Sequence, residues 1–319
     1  VEVHTAEELE QAASLGARII GINNRDILRL ECDDGTVSLT KALAIKKPHG
    51  TFLISESSLQ SAEDVRAAIK AGADAALIGT AILQAEDTAR FYQKLCRKTR
   101  VKFCGMTSKE NIRTCSQADI LGFVVDYPEN VPWNLSAGQA GKLLPTVSKD
   151  CQTCIVTGGS PEKVLYIARQ LRPDFIQLHH NETLDQTFEI AQGLLRMGIR
   201  LIRSIPVSEQ MRIKQFGIAD LGDLAQAFAQ AGVSELLFDG RDPENAANSD
   251  IHVPIEQFQY LKEHSPIPVM LAGRITPPNL KPTLEESGAE AIDIMTGIEV
   301  SPGQKSSNAV CQILRQLGG

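Results

Sequence analysis

Ala291-Ile292-Asp293-Ile294-Met295-Thr296-Gly297, near the C-terminus, is a short apolar run that carries one carboxylate and ends in a glycine turn. Such a run bounded by a turn signal reads as a buried strand. In (β/α)8 barrels, a glycine turn after the last strand, opening a short helix, is the usual seat of a substrate phosphate. The same ending occurs earlier, in Ala75-Ala76-Leu77-Ile78-Gly79-Thr80. The later ending has room before it for eight strand–helix units, the earlier one for only four. The expected fold class is therefore α/β: a (β/α)4 half-barrel followed by a whole (β/α)8 TIM barrel.

Working outward, short apolar runs alternate with amphipathic helical stretches along the whole chain, the signature of a parallel sheet. In the first segment strands are expected over 1–3, 18–22, 51–54 and 75–78. Helices are expected over 6–15, 39–46, 62–71 and 87–95. Thr5 with Glu8, and Ser61 with Asp64, have the spacing of capped helix starts. Later strands are expected over 101–103, 120–125, 153–156, 175–178, 201–204, 235–238, 269–271 and 291–294. A doubly wound open sheet is the rival, but it gives no reason for two glycine turns of one kind. The basic join 96–100 is too short for a flexible linker, so the domains are placed at 1–97 and 98–319. Four strands alone leave two open sheet edges, which proteins avoid. With no initiator Met, the complementary half-barrel is expected upstream on the same natural polypeptide.

Composition removes several function classes. The 319 residues carry a formal net charge of −7 and no basic run, which argues against a nucleic-acid partner. The apolar stretches are strand-sized, so no membrane span is expected. Seven scattered cysteines point to free thiols in a reducing cytoplasm. Cys151-Gln152-Thr153-Cys154 has redox or zinc-ligand spacing, but Cys154 falls in a strand and no second ligand pair follows. It reads as chance spacing. The histidines His4, His49, His179, His252 and His264 show no metal spacing either.

Barrel chemistry sits at the C-terminal ends of strands. Cys104 ends the first strand of the second segment and precedes a helix start at Ser108, a setting that lowers a thiol pKa. The competing reading is a small buried residue. Asp239 ends the sixth strand, half desolvated, and suits a general acid; a turn former is the alternative. Asp293 lies inside an apolar run and should face the barrel mouth, because an uncompensated buried charge is costly. The turns at Gly273-Arg274 and Gly297 end adjacent strands and together suit a phosphate.

Lys102-Phe103-Cys104-Gly105-Met106-Thr107, Gln177-Leu178-His179, Leu237-Phe238-Asp239, Leu271-Ala272-Gly273-Arg274-Ile275-Thr276-Pro277-Pro278-Asn279 and Asp293-Ile294-Met295-Thr296-Gly297-Ile298-Glu299 resemble, in that order, phosphoribosylanthranilate isomerase. Ser301-Pro302-Gly303-Gln304-Lys305 closes the match, which covers about residues 101 to 318. The first segment resembles the C-terminal half of indole-3-glycerol-phosphate synthase, through Val1-Glu2-Val3-His4, Gly21-Ile22-Asn23-Asn24-Arg25-Asp26, Ile54-Ser55-Glu56-Ser57 and Leu77-Ile78-Gly79-Thr80. The two families catalyse successive steps of tryptophan biosynthesis and are fused in this order in many bacteria.

The resemblance implies an Amadori isomerisation of a phosphosugar–anthranilate substrate, with Asp239 as acid and Cys104 as base. It implies that Asp293 places sugar hydroxyls and that Gly273 and Gly297 bind the phosphate, with no metal or organic cofactor. In the first segment it places Glu2, Asn23, Arg25, Glu56 and Ser57 toward the synthase substrate and Gly79 and Thr80 at its phosphate. The synthase's catalytic lysines belong to the front half of its barrel, so this segment alone is expected to lack synthase activity.

The chain departs from the isomerase pattern at several places. Asn245-Ala246-Ala247-Asn248-Ser249-Asp250 replaces a Gly-Gly-Thr-Gly run, and Arg274 replaces a glycine. The loop Tyr127-Pro128-Glu129-Asn130-Val131-Pro132-Trp133-Asn134 replaces a Ser-Pro-Arg run that meets the anthranilate carboxylate. Trp133 suits stacking on an aromatic ring. His179 ends a strand and suits the barrel mouth. His180 and Ser58 stand where the two families have glycine. The alternatives are an isomerase of a different aminosugar phosphate or a catalytically silent barrel.

Overall fold

The computed structural model describes residues 1–25, 36–240 and 254–318. These form two compact units, Val1–Lys98 and Thr99–Gly319. No helix among the described residues is long and apolar enough to cross a membrane.

The first unit is β1 (Glu2–Val3), α1 (Ala6–Ser14), β2 (Ile19–Asn23), α2 (Ser38–Ala44), β3 (Phe52–Glu56), α3 (Ala62–Ala71), β4 (Ala75–Leu77), α4 (Thr80–Gln84) and α5 (Thr88–Leu95). Its strands form one parallel sheet in the order β1-β2-β3-β4. Alternation sends Ile20, Ile22 and Leu53 into a cluster with Leu9 and Leu43 of the helices. The opposite face is open: Ile19 and Leu77 are each 59% exposed and Phe52 46%. An apolar sheet face left this bare is half of a core.

Both expected helix starts are capped, unequally. Ser61 and Asp64 form the full reciprocal box, the side chain of Ser61 accepting from Asp64 N and the Asp64 carboxylate accepting from Ser61 N. Thr5 Oγ1 accepts from Glu8 N, but the Glu8 carboxylate reaches His4 N instead of closing on Thr5.

The second unit opens with β5 (Arg100–Phe103), α6 (Lys109–Thr114), β6 (Ile120–Val124), α7 (Ala137–Leu143), β7 (Gln152–Thr157), α8 (Pro161–Leu171), β8 (Phe175–Leu178) and α9 (Leu184–Leu195). It continues with β9 (Arg200–Pro206), α10 (Glu209–Phe216), α11 (Leu221–Ala231), β10 (Glu235–Asp239), α12 (Ile255–His264), β11 (Val269–Ala272), α13 (Leu280–Ser287) and β12 (Ala291–Ile294). A hairpin, β13 (Glu299–Ser301) with β14 (Gln304–Lys305), precedes α14 (Ser307–Gly318). Strands β5 to β12 close into an eight-stranded parallel barrel, β12 pairing back onto β5. Helices alternate with strands because each crossover must return the chain to a parallel start.

The barrel has two cores. Residues such as Val101, Phe103, Phe123, Ile176 and Phe238 pack outward against the helices. Ile120, Cys154, Phe175, Ile202, Leu237 and Met270 fill the interior. Cys151 lies in the outer core and Cys154 in the inner one, so their spacing makes no dithiol pair.

Ser61→Ala should destabilise the first unit by about 1 kcal/mol, the usual cost of a lost N-cap. Urea unfolding followed by circular dichroism measures it, and a midpoint identical to wild type would show that the box contributes nothing.

Candidate active site

The mouth of the second barrel is built from the residue that ends β5. Cys104 N donates to Ile294 O at 2.9 Å, extending the strand ladder by one step. Gly105, at φ +79°, then turns the chain, and Ser108 caps α6 by accepting from Asn111 N. The thiol is buried at 4% exposure and lies over Gly122 of β6. A Cβ at residue 122 would stand 2.7 Å from the sulfur, so only glycine leaves it room.

One step down the same inward face is Lys102, fully buried. Register pairs it with Asp293 on β12, and Lys102 Nζ donates to Asp293 Oδ2 at 2.6 Å. Burial is the largest single influence and lowers the ammonium's pKa, but the Asp293 carboxylate together with the Cys104 and Cys154 sulfurs outweighs it and the net displacement is upward. Asp293 is 8% exposed, and its other oxygen, Oδ1, is buried without a partner.

The expectation of a lowered thiol pKa at Cys104 is corrected. Burial dominates and pushes it up, Lys102 and Lys305 pull it back, and Asp293 opposes them. A strand-end position signals exposure to the mouth but not how completely neighbouring side chains dry it.

Across the mouth, Asp239 ends β10 at 3% exposure, with His179 Nε2 3.4 Å from its Oδ2. The His179 loop is held from outside the barrel. Arg203 of β9, 1% exposed, donates to the carbonyls of Leu178 at 2.9 Å and of His180 and Glu182 at 3.1 Å. Gln215 Nε2 donates to the carbonyls of His180 and Glu182 as well. Burial lowers the Arg203 guanidinium to about 10, with the neighbouring Glu182 carboxylate opposing. On the mouth side, Tyr127 Oη donates to His179 O at 2.7 Å.

The glycine turns after β11 and β12 meet. Gly273 has φ +120° and Arg274, exposed, φ +44°. A Cβ on Gly297 would overlap the carbonyl oxygen of Ile275, so the two loops approach only because residue 297 is glycine. Arg274, and Ser58 at φ +58° in the first unit, both hold the left-handed backbone that favours glycine. The stretch 245–250 lies outside the described residues.

Trp133 packs at the rim of the interior core beside Tyr127, Val131 and Met295. Its indole N–H is committed to Glu299, at 2.9 Å from Oε1. Glu299 also takes Lys305 Nζ at 2.7 Å, and that ammonium donates to Met295 O. Trp133 therefore offers its ring, not its N–H, to the mouth. Lys102, Lys305, Glu299, Arg203 and Tyr127 were not singled out by the sequence reading. For Lys102 a signal existed: strand alternation places the residue two before Cys104 on the same inner face. The Lys305 and Glu299 pairings needed the hairpin β13–β14.

In the first unit, Asn23 and Glu56 pair in register, and Glu2 stands opposite Gly21, one step back on the same face of the sheet. Asn23 Nδ2 donates to Glu2 Oε1 at 2.7 Å, and Glu56 lies across Gly21, where a Cβ would overlap its carboxylate. Burial, then the Glu2 carboxylate, raise the Glu56 pKa. Arg25 N donates to Asn23 Oδ1, and Ser57 follows at φ +64°. Beneath them Asn24 bonds Thr40, Ser55 and the carbonyls of Glu56 and Ser57, a buried support the sequence reading missed. Gly79 and Thr80, at the start of α4, are exposed.

Fold and site together define a class: a (β/α)8 barrel with a buried thiol and a buried carboxylate at the catalytic ends of its strands. The family model for N-(5'phosphoribosyl)anthranilate (PRA) isomerase matches residues 101–316, and the chain belongs to that family. The model for indole-3-glycerol phosphate synthase matches residues 1–95. The N-(5'-phosphoribosyl)anthranilate isomerase of Nitrobacter hamburgensis is 30% identical over 229 residues, covering 67% of this chain and 91% of that protein. The indole-3-glycerol phosphate synthase of Pyrococcus furiosus is 51% identical over 94 residues, covering 30% of this chain and 41% of that protein. The chain thus spans about two fifths of the length of the synthase relatives it matches. The crystal structure of phosphoribosyl anthranilate isomerase from Thermotoga maritima is similar in fold, with TM-score 0.56 at 23% identity over 69% of this chain and 98% of that one.

Gly297→Ala should force the loops after β11 and β12 apart and cost about 1–3 kcal/mol, the range for an overpacked site. Thermal unfolding reads the loss, and an unchanged midpoint would mean the loops adjust without cost.

Proposed function

We propose that the second barrel isomerises N-(5-phosphoribosyl)anthranilate to the corresponding 1-deoxyribulose phosphate, a step of tryptophan biosynthesis. The observation that carries the reading is the meeting of Cys104, Asp239 and Asp293 at one barrel mouth, in a chain of this family. Asp239 protonates the ribose ring oxygen and the ring opens to an iminium at C1. Cys104 takes the C2 proton. The C2–H electron pair moves into C1=C2 and the iminium π pair returns to nitrogen, giving an enamine that becomes the ketone. C1 is reduced and C2 oxidised within one molecule, so proton transfer suffices and no cofactor is required.

Asp293 receives sugar hydroxyls through the oxygen that has no protein partner. Gly273, Arg274 and Gly297 take the phosphate, the backbone N–H groups of the turns facing the anion. Trp133 offers a ring face at the rim, and His179 orients Asp239. In the first segment Glu2, Asn23, Arg25, Glu56, Ser57, Gly79 and Thr80 form the substrate-facing edge of a synthase half-barrel. The functional division lies between 97 and 98, the partners are small molecules and the compartment is the cytoplasm.

A second reading has one observation behind it. The loop 127–134 carries Glu129 and no Lys or Arg, so it offers no cation to an aryl carboxylate. An aminosugar phosphate lacking that carboxylate suits such a loop.

Cys104→Ser and Asp239→Asn should each lower kcat by about 10²–10⁴, the span of general acid–base contributions. The check is the fluorescence decay of freshly made phosphoribosylanthranilate with the whole chain. Turnover of a phosphoribosylaniline in preference to it would select the second reading. Wild-type rates in both variants would remove the acid–base assignment.

A further inference from the structure

The pair Lys102–Asp293 lies directly below the thiol, and the acid–base steps do not use its ammonium. We infer that Lys102 is a positioning residue of this site, its ammonium serving as the fixed countercharge for a Cys104 thiolate. The inference rests on the reading of Cys104 as the base. A base that takes the C2 proton must first exist as S⁻, and a dry barrel interior opposes that charge.

Four groups face the sulfur from the elements packed around it. Lys102 comes from its own strand, Asp293 from β12, Lys305 from β14 and Cys154 from β7. Both ammoniums are paired, but unequally. Glu299, the partner of Lys305, also accepts from the Trp133 indole and from Gly303 N, and so is closely bound. Asp293 accepts from Lys102 through one oxygen, while its other oxygen is buried and unpartnered. A substrate hydroxyl donating to that oxygen would draw carboxylate charge away from Lys102. The ammonium would then act more strongly on the sulfur as the substrate arrives. Strand alternation fixes the geometry, since residues 102 and 104 share the inner face of β5 and its extension. Gly122 opposite leaves the sulfur the room it occupies against the wall, since a Cβ there would stand 2.7 Å from it.

The test is peptide-resolved alkylation of Cys104 by iodoacetamide against pH, on the whole chain without substrate. This reads the thiolate directly and keeps it apart from the other cysteines. Lys102→Met should raise the midpoint by a unit or more, because it removes the countercharge and leaves Asp293. Asp293→Asn should move it the opposite way, because it frees the ammonium. Lys102→Arg should keep it near wild type. In turnover, Lys102→Met should lower kcat tenfold or more with a smaller change in KM, and the loss should shrink as pH rises. Midpoints for Lys102→Met and Asp293→Asn that coincide with wild type, in folded protein, would overturn the inference. If Lys102→Met fails to fold, the sign of the Asp293→Asn shift decides. Full turnover by Cys104→Ser would instead overturn the assignment of the base, whatever the alkylation midpoints show.

Discussion

An ammonium and a carboxylate sealed inside the barrel, Lys102 and Asp293, are the interaction on which the rest of this mouth depends. Either charge alone is costly there, since a buried ion without a partner gives up its hydration and is driven toward its neutral form. Together they are held by the closing register of the barrel, β12 against β5. Closure of the sheet and neutralisation of the pair are thus one event. With the pair in place, the thiol at the next inward position sits on a charged floor, although its surroundings are otherwise apolar.

The other half of the mouth is organised from behind. His179 reaches Asp239 because its loop is tied by three carbonyl contacts to Arg203, a side chain that points away from the barrel axis toward the helices. Arg203 also stacks over Phe216 at 5.0 Å, so the guanidinium plane is set on both its edge and its face. The carbonyls take its two terminal nitrogens, and the Glu182 carboxylate, 3.5 Å from Nη1, balances the buried charge. The rim differs: there Glu299 gathers Trp133, Lys305 and Gly303 N and joins the loop after β6 to the hairpin after β12. That junction aims the indole ring while using its polar atom for support.

The first unit shows the same construction stopped at four strands. Its helix-facing side is packed, and the polar cluster Glu2, Asn23 and Glu56 at its strand ends is formed and supported by Asn24. Its inner apolar residues Ile19, Phe52 and Leu77 stay exposed. The local order of a barrel mouth is thus carried within each strand–loop–helix unit, whereas the dry interior requires all the strands.

Strand and helix positions were legible in the sequence because burial on two faces and helical amphipathicity leave periodic marks. The strands over 175–178 and 291–294 lie where the apolar runs place them. The residues at strand ends, Cys104, Asp239, Asp293 and the glycine turns, were legible for the same reason: barrel topology puts every such position at one mouth. The capping box at Ser61 was readable as well, being a contact across three residues. What the sequence could not convey was the state of the groups. Cys104 is raised rather than lowered because β6, β7 and β12 dry it. Trp133 gives its N–H to a glutamate 166 residues away, and Lys102 is answered by a carboxylate 191 residues on. Period and turn chemistry are local properties written in neighbouring residues. Dielectric, charge pairing and orientation arise only where distant strands are brought together, so tertiary structure alone decided them.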